Sequence, residues 1–502
     1  MSWERGESDQ QVGAGAPLGA PRSGRVNPIG PAQGRSYTLR RSPVSSPSSH
    51  RRRVFADITP LRRYRTFRNL WIGQIISALG SQLTVVGVAY QAYLLTHSTL
   101  IVGLVSLVQL GPLLVGALWG GAIADAMDRR RLLLITQVVL ATTSAGLAVN
   151  ALQAHPHLWP LFAFTAASAG FQGVDNPTRR AALPMIVAVE DLPAALTLQQ
   201  VVFQLSLVAG PAVAGLLIGA AGVSIVFAVD AASFTAAFIS VALLPRLVPK
   251  GGGRKAGFAS VAEGLRYLKG QRTLAATYWI DLDAMVFGMP RAVFPALALG
   301  LYRGGAETLG ILYAAPGAGA LAGALLTGWV SRVHRQGRAV VAAVFVWGGA
   351  IAFFGVVRIL WVGVAFLALA GAADVVSAVF RNAILQMNAP EELQGRLSGT
   401  WIAVVTGGPR LGDAEAGAAA AIGGPQFAVW SGGLACIAGL GVLLWRVPEL
   451  WRQDASDRLA GATEAEPAEP GGDPEPSEPS EPSEPSEPGG DPDPPGDPDP
   501  LL

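Results

Sequence analysis

Charge is scarce in this chain: 14% of its 502 residues are Asp, Glu, Lys or Arg, while 51% are hydrophobic. A water-soluble protein of this length carries nearer a quarter of its residues as charge, so many bilayer-crossing segments are the remaining explanation. Cysteine is almost absent. The single Cys436 lies in an apolar run, which excludes a disulfide framework and a cysteine metal site. The histidines at 50, 97, 155, 157 and 334 form no HExxH or Cys/His ligand spacing. No GxxxxGK[ST] phosphate loop occurs, which argues against ATP as a driving force within the chain. Gly317, Gly319 and Gly323 sit in an apolar run with no preceding strand, and suit close helix packing better than a dinucleotide. The sequence therefore predicts no enzyme, no cofactor, no metal and no nucleic-acid partner. Nor does a cleavable secretory signal precede the first apolar run, since the N-terminus is long, polar and rich in arginine.

What is present is an alternation of apolar runs, each near the roughly 20 residues a bilayer needs, with short polar breaks. Spans are predicted to begin near Leu70, Leu100, Leu132, Leu158, Leu198 and Val223, then near Thr273, Thr308, Ala339, Leu360, Gly399 and Gln426. Twelve helices result, because backbone groups in hydrocarbon must pair within their own segment and the unalternating runs do not suit a barrel. Residues 1–65 read as a disordered basic arm, and 448–502, with its EPSEPSEPSEP run, as a disordered acidic, Pro-rich tail. The arm's arginines could meet anionic lipid or simply help set topology.

Basic residues crowd the arm, the breaks after spans 2, 4, 8 and 10, and the linker 246–272, whereas the opposite side holds Arg303 and Arg358. The positive-inside bias then puts both termini in the cytoplasm of a multi-pass plasma-membrane protein. The two halves also repeat. Gly103, Gly116, Ala117, Leu118, Gly121 and Arg131 recur as Gly310, Gly323, Ala324, Leu325, Gly328 and Arg338, and Glu190-Asp191-Leu192 as Glu391-Glu392-Leu393. The division expected is a six-helix bundle over 66–245, a cytoplasmic linker over 246–272 with an amphipathic Phe258–Leu268, and a second bundle over 273–447.

Between spans 2 and 3 runs GGAIADAMDRRR. Its Gly121, Asp125, Arg129 and Arg130 resemble the signature loop of the major facilitator superfamily, with Ala126 and Asp128 departing from the usual base and glycine. Gly210, Pro211 and Gly215 on span 5 resemble the GPxxGG element of proton-driven antiporters in that superfamily, with Ala214 in place of one glycine. Thr96-His97-Ser98-Thr99, Phe294-Pro295-Ala296-Leu297, Gly310-Ile311-Leu312-Tyr313-Ala314-Ala315 and Ala389-Pro390-Glu391-Glu392-Leu393-Gln394-Gly395-Arg396 are similar to the bacterial enterobactin exporters. The resemblance covers about 61–447. It implies an all-α membrane protein of two pseudo-symmetric six-helix bundles that exports a siderophore or another amphipathic small molecule in exchange for protons. Macrolide and multidrug efflux proteins share the resemblance, so that alternative stays open, as does a transport-inactive receptor or sensor. Oligomeric state is not legible.

Ionisable groups inside spans are costly and therefore default functional candidates. Asp281 and Asp283 on span 7, Asp374 on span 10 and Asp413 on span 11 are the expected proton-coupling acids. Asp281 and Asp283, two apart, face nearly opposite ways, so at most one readily meets a central cavity. Arg410 and Asp413, three apart, are expected to pair along one face. Asp230 on span 6 reads as structural, because the sixth helix of a half is peripheral in the superfamily fold. Gln74, Gln82 and Gln91 on span 1, with Phe287, Arg291 and Arg410, are the expected cavity residues, and Arg291 suits an anionic, catecholate-type substrate. Gly121, Asp125, Arg129 and Arg130 are read as a cytoplasmic gating motif rather than an ordinary arginine-rich turn. Asp125 is expected against a neighbouring helix N-terminus or against Arg179 or Arg180, in a contact that closes the inner side and breaks on transition.

Overall fold

The computed structural model describes residues 57–249, 266–268, 270–326, 333, 335–388 and 391–452. Most of the expected arm, linker and acidic tail, and the second signature-loop copy from Gly328 through Arg332, lie outside these residues. Among the described residues the chain forms twelve long rods and no strand. In the first half they are α1 (Arg65–Thr96), α2 (Thr99–Ala126), α3 (Arg129–Leu152), α4 (Leu158–Ala182), α5 (Leu192–Ala221) and α6 (Val223–Ala242). In the second they are α7 (Arg272–Leu301), α8 (Gly305–Leu326), α9 (Gln336–Val356), α10 (Leu360–Asn388), α11 (Glu391–Gly423) and α12 (Pro425–Arg446). Ten are long and apolar enough to cross a membrane by length and composition. The other two, α4 and α11, carry the polar load of Asp175, Arg179 and Arg180 and of Arg410, Asp413 and Glu415.

The pairing of helices shows the two-fold relation of the halves. Close pairs α1·α5, α1·α6, α2·α4, α3·α4 and α3·α6 are answered by α7·α11, α7·α12, α8·α10, α9·α10 and α9·α12. Turn chemistry repeats as well. His97 and Arg303, both at positive φ (51° and 50°), end the first helix of each half, and Gly222 and Gly424 (82° and 88°) separate the fifth from the sixth. The halves join along two seams, α5·α8 and α2·α11. Small residues let the seams close. A methyl at Gly215 of α5 would stand 2.7 Å from the carbonyl oxygen of Ala306, and one at Gly103 of α2 would strike the carbonyl of Asp413. Without water to drive apolar surfaces together inside a bilayer, such backbone approach is what holds helices to one another.

Proline shapes the rods. Pro112 cannot donate to Val108, and α2 is interrupted at Gln109 between Thr99–Val108 and Leu110–Ala126. In α7 the break is larger: the helix stops at Phe287, Pro290 follows, and the chain resumes as short turns over Arg291–Val293, Phe294–Ala296 and Leu297–Leu301. The expected continuous span 7 is thus divided. Helical structure extends past both expected bounds, earlier than residue 65 and later than residue 448. Thr59–Arg63 is already helical, with Arg63 and Tyr64 bound to Asp191 at 3.1 and 2.9 Å. Glu449–Arg452 forms a final turn, with Leu450 buried and Trp451 under the Arg338 guanidinium at 5.3 Å.

Candidate functional site

Between the halves lies a cavity of about 160 Å³ that opens to solvent. The first half contributes Ser81, Thr84, Val85 and Val88 of α1, Ser106 and Gln109 of α2, Ser168 and Gln172 of α4, and Asp230 of α6. The second half contributes Arg291 of α7, Tyr313 of α8, and Arg410 and Asp413 of α11. The wall is therefore apolar and hydroxyl-rich on one side and charged on the other.

The break in α7 is what delivers Arg291 to this wall. Backbone that leaves its helix inside a membrane must find other partners or line a cavity. Here the Trp347 indole donates to the Gly288 carbonyl at 2.9 Å and the Tyr313 hydroxyl to the Arg291 carbonyl at 3.2 Å. The Arg291 guanidinium stands 3.5 Å from Asp413, which also accepts from Ser106 of the opposite half at 2.8 Å. Arg410 does not pair with Asp413 as expected. Its side chain leans toward the N-terminus of α11, as long helical side chains do, and donates to the Thr406 carbonyl at 2.7 Å. Asp413 lies on the other side of it, toward the C-terminus. Two guanidiniums and one carboxylate leave this wall with one formal positive charge.

The other expected site residues lie elsewhere. Gln74 accepts from Gln199 at 3.5 Å, Gln82 packs its stem where a side chain at Gly210 would stand, and Gln91 is buried within the bundle. None of the three lines the cavity, because α1 turns Ser81, Thr84, Val85 and Val88 toward it instead. Phe287 packs against an apolar cluster of the second bundle, and its carbonyl abuts Gly432. Asp281 is 1% exposed and meets Arg381 of α10 at 2.7 Å, with Asp374 on the same guanidinium at 3.7 Å. Asp283 points the other way, toward Gly439 and Cys436 of α12. The near-opposite aspects of the two aspartates follow from their spacing. Neither Asp281, Asp283 nor Asp374 reaches the cavity wall.

Gly121 lies in the last turns of α2, and the signature loop that follows works as a clamp within the first half. Arg129 pairs with Asp125 at 3.2 Å and donates to the Ala181 carbonyl at the end of α4 at 2.7 Å. Arg130 donates to the Ala242 carbonyl at the end of α6 at 2.6 Å. Asp128 caps α3 through the Arg130 amide and also accepts from Leu247. Cations at helix C-termini satisfy carbonyls left without an amide partner and oppose the helix dipole. Asp125 meets neither Arg179 nor Arg180: Arg179 is taken by Asp175 one turn earlier, at 2.5 Å. Pro211 and Gly215 occupy the α5·α8 seam, where Gly310 of α8 faces the Pro211 carbonyl, while Gly210 is turned toward Gln82 of α1.

Three groups were not singled out, or were set aside, from the sequence. Arg381 joins two acids, and its spacing of seven from Asp374, two turns on one face, was the available signal. Asp175 is held by Thr136, Gln137 and Arg179. Asp230, read as structural, lies on the cavity wall.

The chain is 29% identical to the enterobactin exporter EntS of Shigella boydii serotype 4 over 77% of its length and 93% of that protein's. Against EntS of Escherichia coli O1:K1 the identity is 28% over the same shares. Its fold is similar to a POT family transporter crystallised with 5-aminolevulinic acid, with a TM-score of 0.63 and 11% identity over 77% of this chain and 97% of that one. It is likewise similar to a bacterial homologue of the human lysosomal transporter Spinster in an inward-facing, unoccupied conformation, with a TM-score of 0.59 and 15% identity over 77% and 95%. At such identities these structures establish the fold alone. The model of the transmembrane secretion effector family matches residues 55–468. The chain therefore belongs to that family of the major facilitator superfamily, and is a multi-pass membrane transporter of small molecules rather than an enzyme.

Proposed function

We propose that this transporter exports an amphipathic anion, a catecholate siderophore in the first instance, in exchange for protons by alternating access. One observation carries the reading: Arg291 and Arg410 stand on the second half's side of the cavity with one acid, Asp413, and Asp230 borders the cavity from the first half. Phenolate or carboxylate oxygens of a ligand would take the guanidiniums in charge-assisted hydrogen bonds, while Val85, Val88 and Val105 receive aromatic rings. The seams fit alternating access. Gly103 meets Asp413 and Gly215 meets Ala306 at the start of α2, the end of α5, the start of α8 and the later part of α11. All four lie opposite the arginine-bearing ends, so with those ends and both termini in the cytoplasm this is the inward-facing state of a plasma-membrane protein. Arg381 with Asp281 and Asp374 leaves one formal negative charge, and Asp374, the more exposed acid at 30% of its side chain against 2% for Asp281, is the one a proton reaches first. The apolar residues of the wall also fit a macrolide, the second reading.

Inverted membrane vesicles supplied from outside with labelled enterobactin or a labelled macrolide distinguish the two. Enterobactin accumulation driven by a pH gradient is expected, with Arg291→Ala and Arg410→Ala each weakening binding about tenfold, the equivalent of about 1.4 kcal/mol. Macrolide accumulation indifferent to both arginines would replace the siderophore reading.

A further inference from the structure

We propose that Asp230 is a proton-binding site of the first half, separate from the arginine-paired acids of the second. The proposal deepens the antiport reading above and rests on it for its functional meaning.

Asp230 is 2% exposed, yet it borders the central cavity. Thr84 of α1 and Ser144 of α3 donate to one of its oxygens at 2.6 and 2.7 Å, and Ser233 of α6 to the other at 3.3 Å. Of the buried acids Asp175, Asp230, Asp281 and Asp413, the other three lie against a guanidinium, and Asp230 does not. No cation among the described residues pairs with it. Between Arg68 and Tyr90 of α1, after Arg131 of α3, and throughout α5, no ionisable residue occurs, and Asp230 is the only one in α6. The ionisable groups that share its cavity are Arg291, Tyr313, Arg410 and Asp413, on the opposite half. Room is kept for the carboxyl by Gly80, where a methyl would stand 2.7 Å from its oxygen.

The nature of its partners decides what Asp230 can do. A guanidinium only donates, and so holds a carboxylate in its ionised form. A hydroxyl donates or accepts by rotating about its C–O bond. When Asp230 is ionised, Thr84 and Ser144 donate to it, and Ser233 shares its one hydrogen between Oδ1 and the Asp230 main-chain carbonyl. When cavity water delivers a proton and an O–H bond forms on Oδ2, that group donates to Thr84 or Ser144, whose own hydrogen is free to turn to the carbonyl one helical turn earlier, of Gly80 or Leu140. Ser233 already has a second acceptor, the Asp230 main-chain carbonyl at 2.7 Å. The nest is satisfied in both states. Asp175, gripped by Arg179, has no such freedom.

Infrared difference spectra of the full-length protein in lipid, recorded against pH, read the carboxyl directly. A protonated-carboxyl band that titrates in the wild type and is missing from Asp230→Asn is expected. An unchanged band in that variant overturns the proposal. Ser144→Ala keeps the acid and removes one donor to its ionised form, so the proton is held more tightly and the titration midpoint moves up by roughly one pH unit. A midpoint that stays in place also overturns it, even if Asp230→Asn fails to fold. Enterobactin flux in proteoliposomes separates the two readings. Flux indifferent to a pH gradient, with the Asp230 band still titrating, sinks antiport and leaves the site. Gradient-driven flux with no Asp230 band sinks the site alone.

Discussion

The two halves share one plan of helix pairing and differ in how they treat buried charge. In the first, α1 runs unbroken from Arg65 to Thr96, and the cavity acid, Asp230, is met by hydroxyls. In the second, the corresponding helix is cut at Gly288–Pro290, and Asp281, Asp374 and Asp413 are met by arginines. A hydroxyl nest costs little to rearrange when a proton arrives or leaves. A buried ion pair is expensive to separate, because either partner left alone is an unpaired charge. Under the proposed function, that difference sets anion contact in the second half and adds to its Asp374 a hydroxyl-held acid in the first.

The sharpest way to break that comparison is to remove the arginines that grip acids. Arg381→Ala leaves Asp281 and Asp374 without a counter-charge and should cost about 3–5 kcal/mol of stability. Arg179→Ala should cost about 1–3 kcal/mol, since Thr136 and Gln137 still donate to Asp175. Thermal unfolding in detergent measures both. Equal losses would mean that the halves are not different in this respect, and pairing Arg381→Ala with Asp281→Asn should recover part of the larger one. The seams come next. Gly103→Val drives a side chain into the Asp413 carbonyl, so the variant should fold, lose about tenfold in transport, and show wider α2–α11 spacing by paired spin labels. That factor corresponds to about 1.4 kcal/mol. Unaltered spacing would show that the seam has slack. The smallest effect belongs to the signature loop. Arg129→Gln removes charged contacts to Asp125 and the Ala181 carbonyl, for about 1–2 kcal/mol. Hydrogen exchange at the α4 C-terminus should quicken, with α10 unaffected.

Hydropathy reports how long a segment stays apolar, and it located the rods because each crosses a similar thickness of hydrocarbon. It does not report direction. Gln74, Gln82 and Gln91 drew attention as polar residues in an apolar helix, whereas α1 presents Ser81 and Thr84 to the cavity, two small hydroxyls that blend into any membrane span. Span length hid Arg381 as well: α10 continues to Asn388, so a base that reads as part of the following loop sits inside the bundle. The same holds for Arg179 at the end of α4. Pro290 was visible in the chain, but only the tertiary partners of the freed carbonyls, Trp347 and Tyr313, reveal that the helix yields there. Asp230 was discounted by the position of its helix, and what overrides that is the neighbourhood of Thr84 and Ser144, more than 80 residues away in sequence.

The lone thiol has a practical corollary. Cys436 is fully enclosed between α12 and its neighbours, against Asp283. Sulfhydryl reagents added from either face of the membrane meet no native target with ready access. A reporter cysteine introduced at Val85 or Gln172 would therefore signal its own solvent access, in the otherwise natural protein, as the chamber opens and shuts.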